Sequence, residues 1–263
     1  MMKCTDRVLF GCLALLLPIS GFACSTAQWS SQSGAVVVGS PIDVTPITRV
    51  SEFCAMRAND TGHVQDNNPT NHLTFIARFY VRPQLTGTGQ ADLFIAYASE
   101  TPATQLFKVT YDGANLEFHT GSATVLGGVA ATAGSWHLVE VKYVSGGNTE
   151  FWVNKNATVP ATPDGSFASA TGGVEAVRLG LPNGRGGLAG TASFDAYESH
   201  STTPVGPLLI GDANGNGTIT TGDYAAVQRD LLGTLQSGQP DCNLSGSVTT
   251  GDYRCIQQKI LGQ

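Results

Sequence analysis

The 263-residue chain carries 14 Lys and Arg against 20 Asp and Glu, a formal net charge of −6, and only 13% of its residues are charged. That balance excludes the basic footprint of a nucleic-acid-binding protein, and the length leaves room for one medium and one small domain after processing. Abundant glycine, 32 residues, together with mild acidity fits a secreted, β-rich protein.

The N-terminus reads MMKCTDR, then the apolar run VLFGCLALLLPI, then small residues through Ala27. This is the pattern of a signal peptide over residues 1–27, and its apolar run is too short to span a bilayer. No later stretch has the length of a transmembrane helix. Small residues precede two cleavage points, after Ala23 and after Ala27. Cutting after Ala23 leaves Cys24, Cys54, Cys242 and Cys255, an even set, whereas cutting after Ala27 leaves Cys54 without a mate. A lipoprotein anchored through Cys24 is the alternative, although Gly21 and Phe22 fit a lipobox poorly. Export brings the chain into an oxidising, calcium-rich milieu.

Residues 28–198 alternate apolar and polar side chains in short runs separated by turn residues. LTFIARFYV places Leu73, Phe75, Ala77, Phe79 and Val81 on one face. ADLFIAYA, QLFKVTYDGANLEFH, WHLVEVKYV, TEFWVN, VEAVRLGL and TASFDAY continue the theme. Asp112-Gly113 and Gly146-Gly147-Asn148 are hairpin signals, and the polar stretch 59–71 reads as a long loop. No helical period is sustained before Thr221, so the body is expected to be an antiparallel β-sandwich.

The order of these strands, with ARFYVRP, GSWHLVEVKYV followed by TEFWVNKNA, and a closing SFDAYES, resembles a laminin-G-like, concanavalin-type jelly roll. The resemblance implies a fold shared by lectins, adhesion modules, carbohydrate-binding modules, glycanases and polysaccharide lyases, among which fold alone does not choose. Jelly-roll glycosidases of the laminarinase type carry their carboxylates as E-x-D-x-x-E on one strand, and this chain lacks that pattern. Asp195 and Glu198 come nearest, but odd spacing sends them to opposite faces of a regular strand. Glu140 with Lys142, and Glu117 with His119, read as strand charge ahead of a lyase site. His63, His72, His119, His137 and His200 include no pair at zinc-site spacing. The expectation is no catalytic residue. Trp152, Tyr97, Tyr143 and Tyr197 are candidate sugar-stacking rings, with core packing the commoner role of each, and Trp136 is structural.

Residues 199–210 form a Ser/Thr/Pro linker, and residues 211–263 contain a duplication: DANGNGTITTGD returns as DCNLSGSVTTGD. A calcium ion takes six to eight oxygens at about 2.3–2.6 Å, so a single loop must curl around it, with glycine at its sixth position. The first loop offers Asp212, Asn214, Asn216, the Thr218 carbonyl, Thr220 and Asp223. The second offers Asp241, Asn243, Ser245, the Ser247 carbonyl, Thr249 and Asp252. Gly217 and Gly246 permit the curl, Ile219 and Val248 suit packing of loop on loop, and Ser245 weakens the second site. Two calcium ions are the expected cofactors.

Each loop runs into a helical repeat, DYAAVQRDLLG or DYRCIQQKILG, with Gly233 and Gly262 as stops. Pro204, Pro207, Gly238 and Pro240 argue against a helix ahead of either loop. Such paired half-hands resemble a type I dockerin domain over residues 211–263. The resemblance implies a small α-helical calcium-binding domain, docking onto a cohesin module, and a role near polysaccharide breakdown. In that family loop positions 10 and 11 help choose the cohesin, and here they are Thr221-Gly222 and Thr250-Gly251, identical pairs that would admit a partner in either of two orientations. A calcium staple without a partner is the alternative. Where the first copy has Ala213 and Ala226 the second has Cys242 and Cys255, a joint replacement that predicts a disulfide.

The whole reads as a secreted calcium-binding protein whose sandwich binds a polysaccharide or surface glycan without catalysis. A glycoside hydrolase or lyase with a divergent site, and a cell-surface adhesion protein, are the two other classes.

Overall fold

The computed structural model describes residues 26, 29–39, 55–100, 103–121, 124–155, 162–206, 208–216, 218–234, 239–243 and 248–262. The signal-peptide region with both cleavage points, Cys24, Cys54, Gly217, Ser245, Gly246 and Ser247 lie outside the described residues. The strands are β1 (Ser31–Gly39), β2 (Ala55–Asp66), β3 (Thr74–Thr86), β4 (Ala91–Glu100), β5 (Ala103–Tyr111) and β6 (Asn115–Thr120), then β7 (Thr124–Ala130), β8 (His137–Val144), β9 (Asn148–Val153), β10 (Gly165–Ala168), β11 (Ala176–Gly180) and β12 (Ala189–His200). Helices α1 (Gly222–Leu231) and α2 (Thr250–Ile260) follow. No described helix is long and apolar enough to cross a membrane.

Every strand pairing is antiparallel, in the order β10-β9-β8-β3-β12-β2-β11-β4-β5-β6-β7, with β1 along the remaining edge of β2. The order folds into two layers because β2 belongs to both. Its first half, through Met56, Arg57 and Ala58, pairs with β12, while its second half, from His63 to Asp66, pairs with β11. Asp60, between the halves, has the left-handed φ of 49°, a local bend of the kind that lets a strand change sheets. The polar stretch expected to be a loop is therefore mostly strand. Its polarity arises because His63 and Gln65 alternate with the buried Val64, so only one face of this half of β2 turns into the core.

Ring pairs join the layers across the core: Phe79 of β3 on Phe94 of β4 at 5.2 Å, Phe107 of β5 on Tyr143 of β8 at 5.6 Å, and Phe118 of β6 on Phe151 of β9 at 3.4 Å between centroids. Such pairs add about 0.5–1.5 kcal/mol each beyond burial. Phe75, Ala77, Phe79 and Val81 face this core as the period-two pattern predicts, but Leu73 is 57% exposed. Leu73 lies ahead of β3, and its carbonyl accepts from the Ser145 N–H at 2.8 Å. At the predicted Asp112-Gly113 turn, the Asp112 Oδ1 accepts from the N–H groups of Ala114 and Asn115 at 2.8 and 2.6 Å.

The C-terminal helices share a separate small core of Ala213, Ala226, Val227, Cys242 and Ile256, flanked by Ile219, Val248, Tyr224 and Tyr253. Ile219 and Val248 thus meet in one cluster. Leu208, Leu209, Gln239 and Pro240, ahead of the two loops, are non-helical.

Candidate functional site

In the first loop the Asp212 and Asp223 carboxylates are buried and held by main-chain donors. Asn216 N donates to Asp212 Oδ1 at 3.1 Å, Asn214 N to Asp223 Oδ1 at 3.1 Å, and Thr220 N to Asp223 Oδ2 at 2.7 Å. Asn214 Oδ1 accepts from Asn216 N at 3.0 Å and Asn216 Oδ1 from Thr218 N at 2.9 Å, so successive side-chain turns curl the chain. The second loop repeats the frame: Asn243 N donates to Asp252 Oδ1 at 3.1 Å and Thr249 N to Asp252 Oδ2 at 2.7 Å. Asp241 and Asp252 are likewise buried. Each described donor set is two carboxylates with amide and hydroxyl oxygens, the hard ligands that suit calcium rather than a thiolate-seeking metal. The residues present fit a calcium ion.

Thr221, Gly222, Thr250 and Gly251 are all exposed at the helix starts. Gly251 also has a local role that sequence reasoning missed. A Cβ on Gly251 would sit 3.0 Å from Asn243 Nδ2 and 3.2 Å from Thr249 Oγ1, and one on Gly222 would sit 3.4 Å from Asn214 Nδ2 and Thr220 Oγ1. In the second loop a side chain at position 11 would crowd those of positions 3 and 9, whereas in the first loop it would make ordinary contact with them.

Cys242 and Cys255 form the predicted disulfide, with Cα atoms 5.7 Å apart, inside the window of about 4.4–6.8 Å that such a bond requires. Ala213 and Ala226 occupy the matching buried positions of the first repeat. Replacing both cysteines by alanine is expected to destabilise the C-terminal unit by about 2–3 kcal/mol, read as faster amide exchange in α2. Unchanged exchange would show that the bridge is dispensable.

On the outer face of the β10–β12 layer, the sequence expectation for Asp195 and Glu198 is overturned. The register with β3 slips between them, so that Asp195 opposes Tyr80 and Glu198 opposes Arg78, two residues of the same face. The slip is a bulge at Ala196, whose φ is 48°, and the extra residue restores both carboxylates to one side. Opposite Arg78 on β8 stands Glu140, and opposite Glu140 on β9 stands Trp152. Arg78 is 4% exposed and donates to Glu198 Oε2 at 2.7 Å. Burial pulls the Arg78 pKa down, and Glu198, Tyr80, Glu140 and Asp195 oppose that shift. Lys142, by contrast, pairs with Glu150 at 3.3 Å and joins no site with Glu140.

The outer face of the other layer carries Glu117 and His119. His119 is 3% exposed and bonded through Nε2 to Thr110 Oγ1 at 2.9 Å, while Gln90 donates to Glu117. Lys108 and Asn183 hold Asp92 at 2.8 and 2.6 Å. These groups are hydrogen bonded among themselves and, unlike exposed strand charge, His119 and Asp92 are buried. Burial lowers the pKa of His119 and of His63. A folded pKa below the unfolded value of about 6.5 means the unfolded chain binds more protons. The stabilisation is complete above pH about 6.5 and is lost as pH falls below it. The thermal midpoint should fall between about pH 7 and pH 5, and His119→Gln should flatten that fall. A pH-independent midpoint would contradict the assignment.

Of the candidate stacking rings, Tyr143 and Tyr197 belong to the core. Tyr143 donates to the carbonyls of Ala170 and Gly172, and Tyr197 packs on Trp29 and Phe94. Trp152 and Tyr97 face outward on opposite layers, Tyr97 beneath the Arg178 guanidinium at 5.1 Å.

The antiparallel two-layer body is a β-sandwich of the jelly-roll class, followed by a two-helix C-terminal unit. No protein-family model matches the chain, and no curated protein does. Among solved structures it is similar to a cellulose-induced protein, Cip1, at TM-score 0.47 and 13% identity over 68% of this chain and 90% of that one. It is also similar to the alginate lyase AlgAT5 of polysaccharide lyase family 7, at 0.40 and 10% over 56% and 77%. A third match is the binding domain of botulinum neurotoxin serotype D, at 0.41 and 8% over 64% and 43%.

Proposed function

We propose that the chain is a secreted calcium-binding protein with a glycan-binding sandwich and a dockerin-like C-terminal unit that docks onto a cohesin-type module. The observation that carries the calcium reading is the closing aspartate. Asp223 and Asp252 each take two main-chain N–H bonds at the same distances, 3.1 and 2.7 Å, in two loops of different sequence. Two buried carboxylates in one short loop favour a cation between them. Bound calcium would supply that positive charge, and Asp212, Asn214, Asn216, Thr218, Thr220 and Asp223 would hold it in the first loop, with the matching set in the second. The N-terminal leader and the disulfide agree with export.

Calorimetric titration of the full mature chain should give two calcium ions, and capture by a cohesin module should require calcium and be reversed by chelator. Failure to bind calcium sinks the loop reading; binding of calcium without capture leaves a staple in place of a docking unit. A second reading, a polysaccharide-degrading enzyme, is favoured by one observation: Asp195, Glu198 and Glu140 converge around Arg78 on one face. Release of reducing sugar or unsaturated uronide from polysaccharides would establish it.

A further inference from the structure

The segment after β12 does not leave the sandwich. Val205, Gly206 and Leu208 lie on the outer face just described, held through their main chain. Glu140 Oε1 accepts from Val205 N at 3.0 Å and Gly206 N at 3.3 Å, Arg78 Nη1 donates to Gly206 O at 3.2 Å, and Tyr80 OH accepts from Leu208 N at 3.1 Å. The expected linker is thus strand at Ser199 and His200 and then a bound strap.

The strap's partners Arg78 and Glu140 belong to the row Glu198, Arg78, Glu140, Trp152, one residue from each of β12, β3, β8 and β9, with Tyr80 and Asp195 in the next row. Glu140, Trp152 and Asp195 are buried although they point away from the core between the layers. Arg78 Nε, in the centre, makes no hydrogen bond, and a buried charged donor left unsatisfied is unfavourable. The bulge with left-handed Ala196 adds strain of the kind that accumulates at ligand sites.

We propose that this row is a groove for a neutral polysaccharide and that the segment carrying Val205, Gly206 and Leu208 is a strap occupying it in cis. The strap offers the groove what a sugar offers: paired donors to Glu140, an acceptor to Arg78 and a donor to Tyr80. A hydroxylated chain could take over those bonds, reach Arg78 Nε and lay an apolar sugar face on Trp152. Within these two rows Glu140, Glu198 and Asp195 outnumber the single guanidinium of Arg78, which disfavours a polyuronate there, while Arg57, Arg82 and Lys142 lie in the flanking rows of the same face. The strap's own sequence makes exchange feasible. Pro204 and Pro207 lack N–H groups, and Gly206 holds a φ of 75° in which other residues are strained.

The inference deepens the glycan-binding reading and rests on it. The test compares the full chain with Gly206→Pro, which removes one N–H to Glu140 and cannot adopt the positive φ, using a soluble β-glucan, a xylan and a polyuronate in affinity electrophoresis. Release of the strap should tighten binding to one of the neutral polymers by at least about tenfold, and Trp152→Ala in that background should abolish it. Binding that is equal with and without the strap, insensitive to Trp152, or selective for polyuronate overturns the strap while leaving glycan binding intact. No binding by either form overturns the glycan-binding reading itself. Should Gly206→Pro fail to fold, amide exchange of the unaltered chain decides: saturating polymer must expose Val205, Gly206 and Leu208, and unchanged protection rejects the proposal.

Discussion

Replacing Glu140 by alanine is expected to destabilise the sandwich by about 2–4 kcal/mol, since two strap N–H groups lose their acceptor at about 1–3 kcal/mol for each buried group left unsatisfied. The change removes the acceptor of two strap N–H groups and one of the carboxylates that surround the buried Arg78. Glu140→Gln keeps an acceptor of the same shape and should cost only about 1–2 kcal/mol. Urea unfolding followed by tryptophan fluorescence separates the two. If the alanine variant loses less than about 1 kcal/mol, the strap is held by something other than this carboxylate.

Removing calcium from the full chain should have a comparable effect, confined to the C-terminal unit. A ligand at a thousand times its dissociation constant stabilises by about 4 kcal/mol per site. Chelation should therefore lower the unfolding midpoint of α1 and α2 while leaving the sandwich transition in place. Asp223→Ala should reduce the calcium stoichiometry from two to one, since it removes the group that collects Asn214 N and Thr220 N in the first loop. Magnesium, which demands a tighter octahedron, should substitute poorly. A C-terminal midpoint indifferent to chelator would mean that the loops are closed by their internal hydrogen bonds alone.

Much of this was legible in the residues. Apolar alternation located the buried faces of β3 because one face of that strand meets a continuous core. The paired alanine-to-cysteine replacement located the disulfide because both positions line one small core, and a change at one position without the other would leave a lone thiol there. What was not legible depends on a single residue or on distant partners. The bulge at Ala196 shifts the parity of β12 by one, yet alanine is neutral in an alternating pattern and gives no sign of it. The strand character of residues 59–66 was hidden because they pair with β1 on one edge and, from His63 to Asp66, with β11 on the other, a segment more than a hundred residues further along the chain. The strap was hidden for a further reason: it is recognised through backbone groups, which every sequence possesses. Its docking partners Arg78 and Glu140 look, in the sequence, like ordinary surface charges on strands.

The strand shared by both layers has a mechanical consequence. Because β2 is hydrogen bonded to β12 at one end and β11 at the other, neither sheet possesses a complete set of pairings by itself. A chain in which one sheet had melted would forfeit half of β2 and with it a border of the survivor. Opening is therefore expected to be all-or-none across the body, with no half-open form for proteases or aggregation to exploit. Assembly must wait for segments from opposite ends of the domain to meet, which makes folding slow. The same strand that keeps the mature body whole would make its nascent chain long dependent on what is synthesised last.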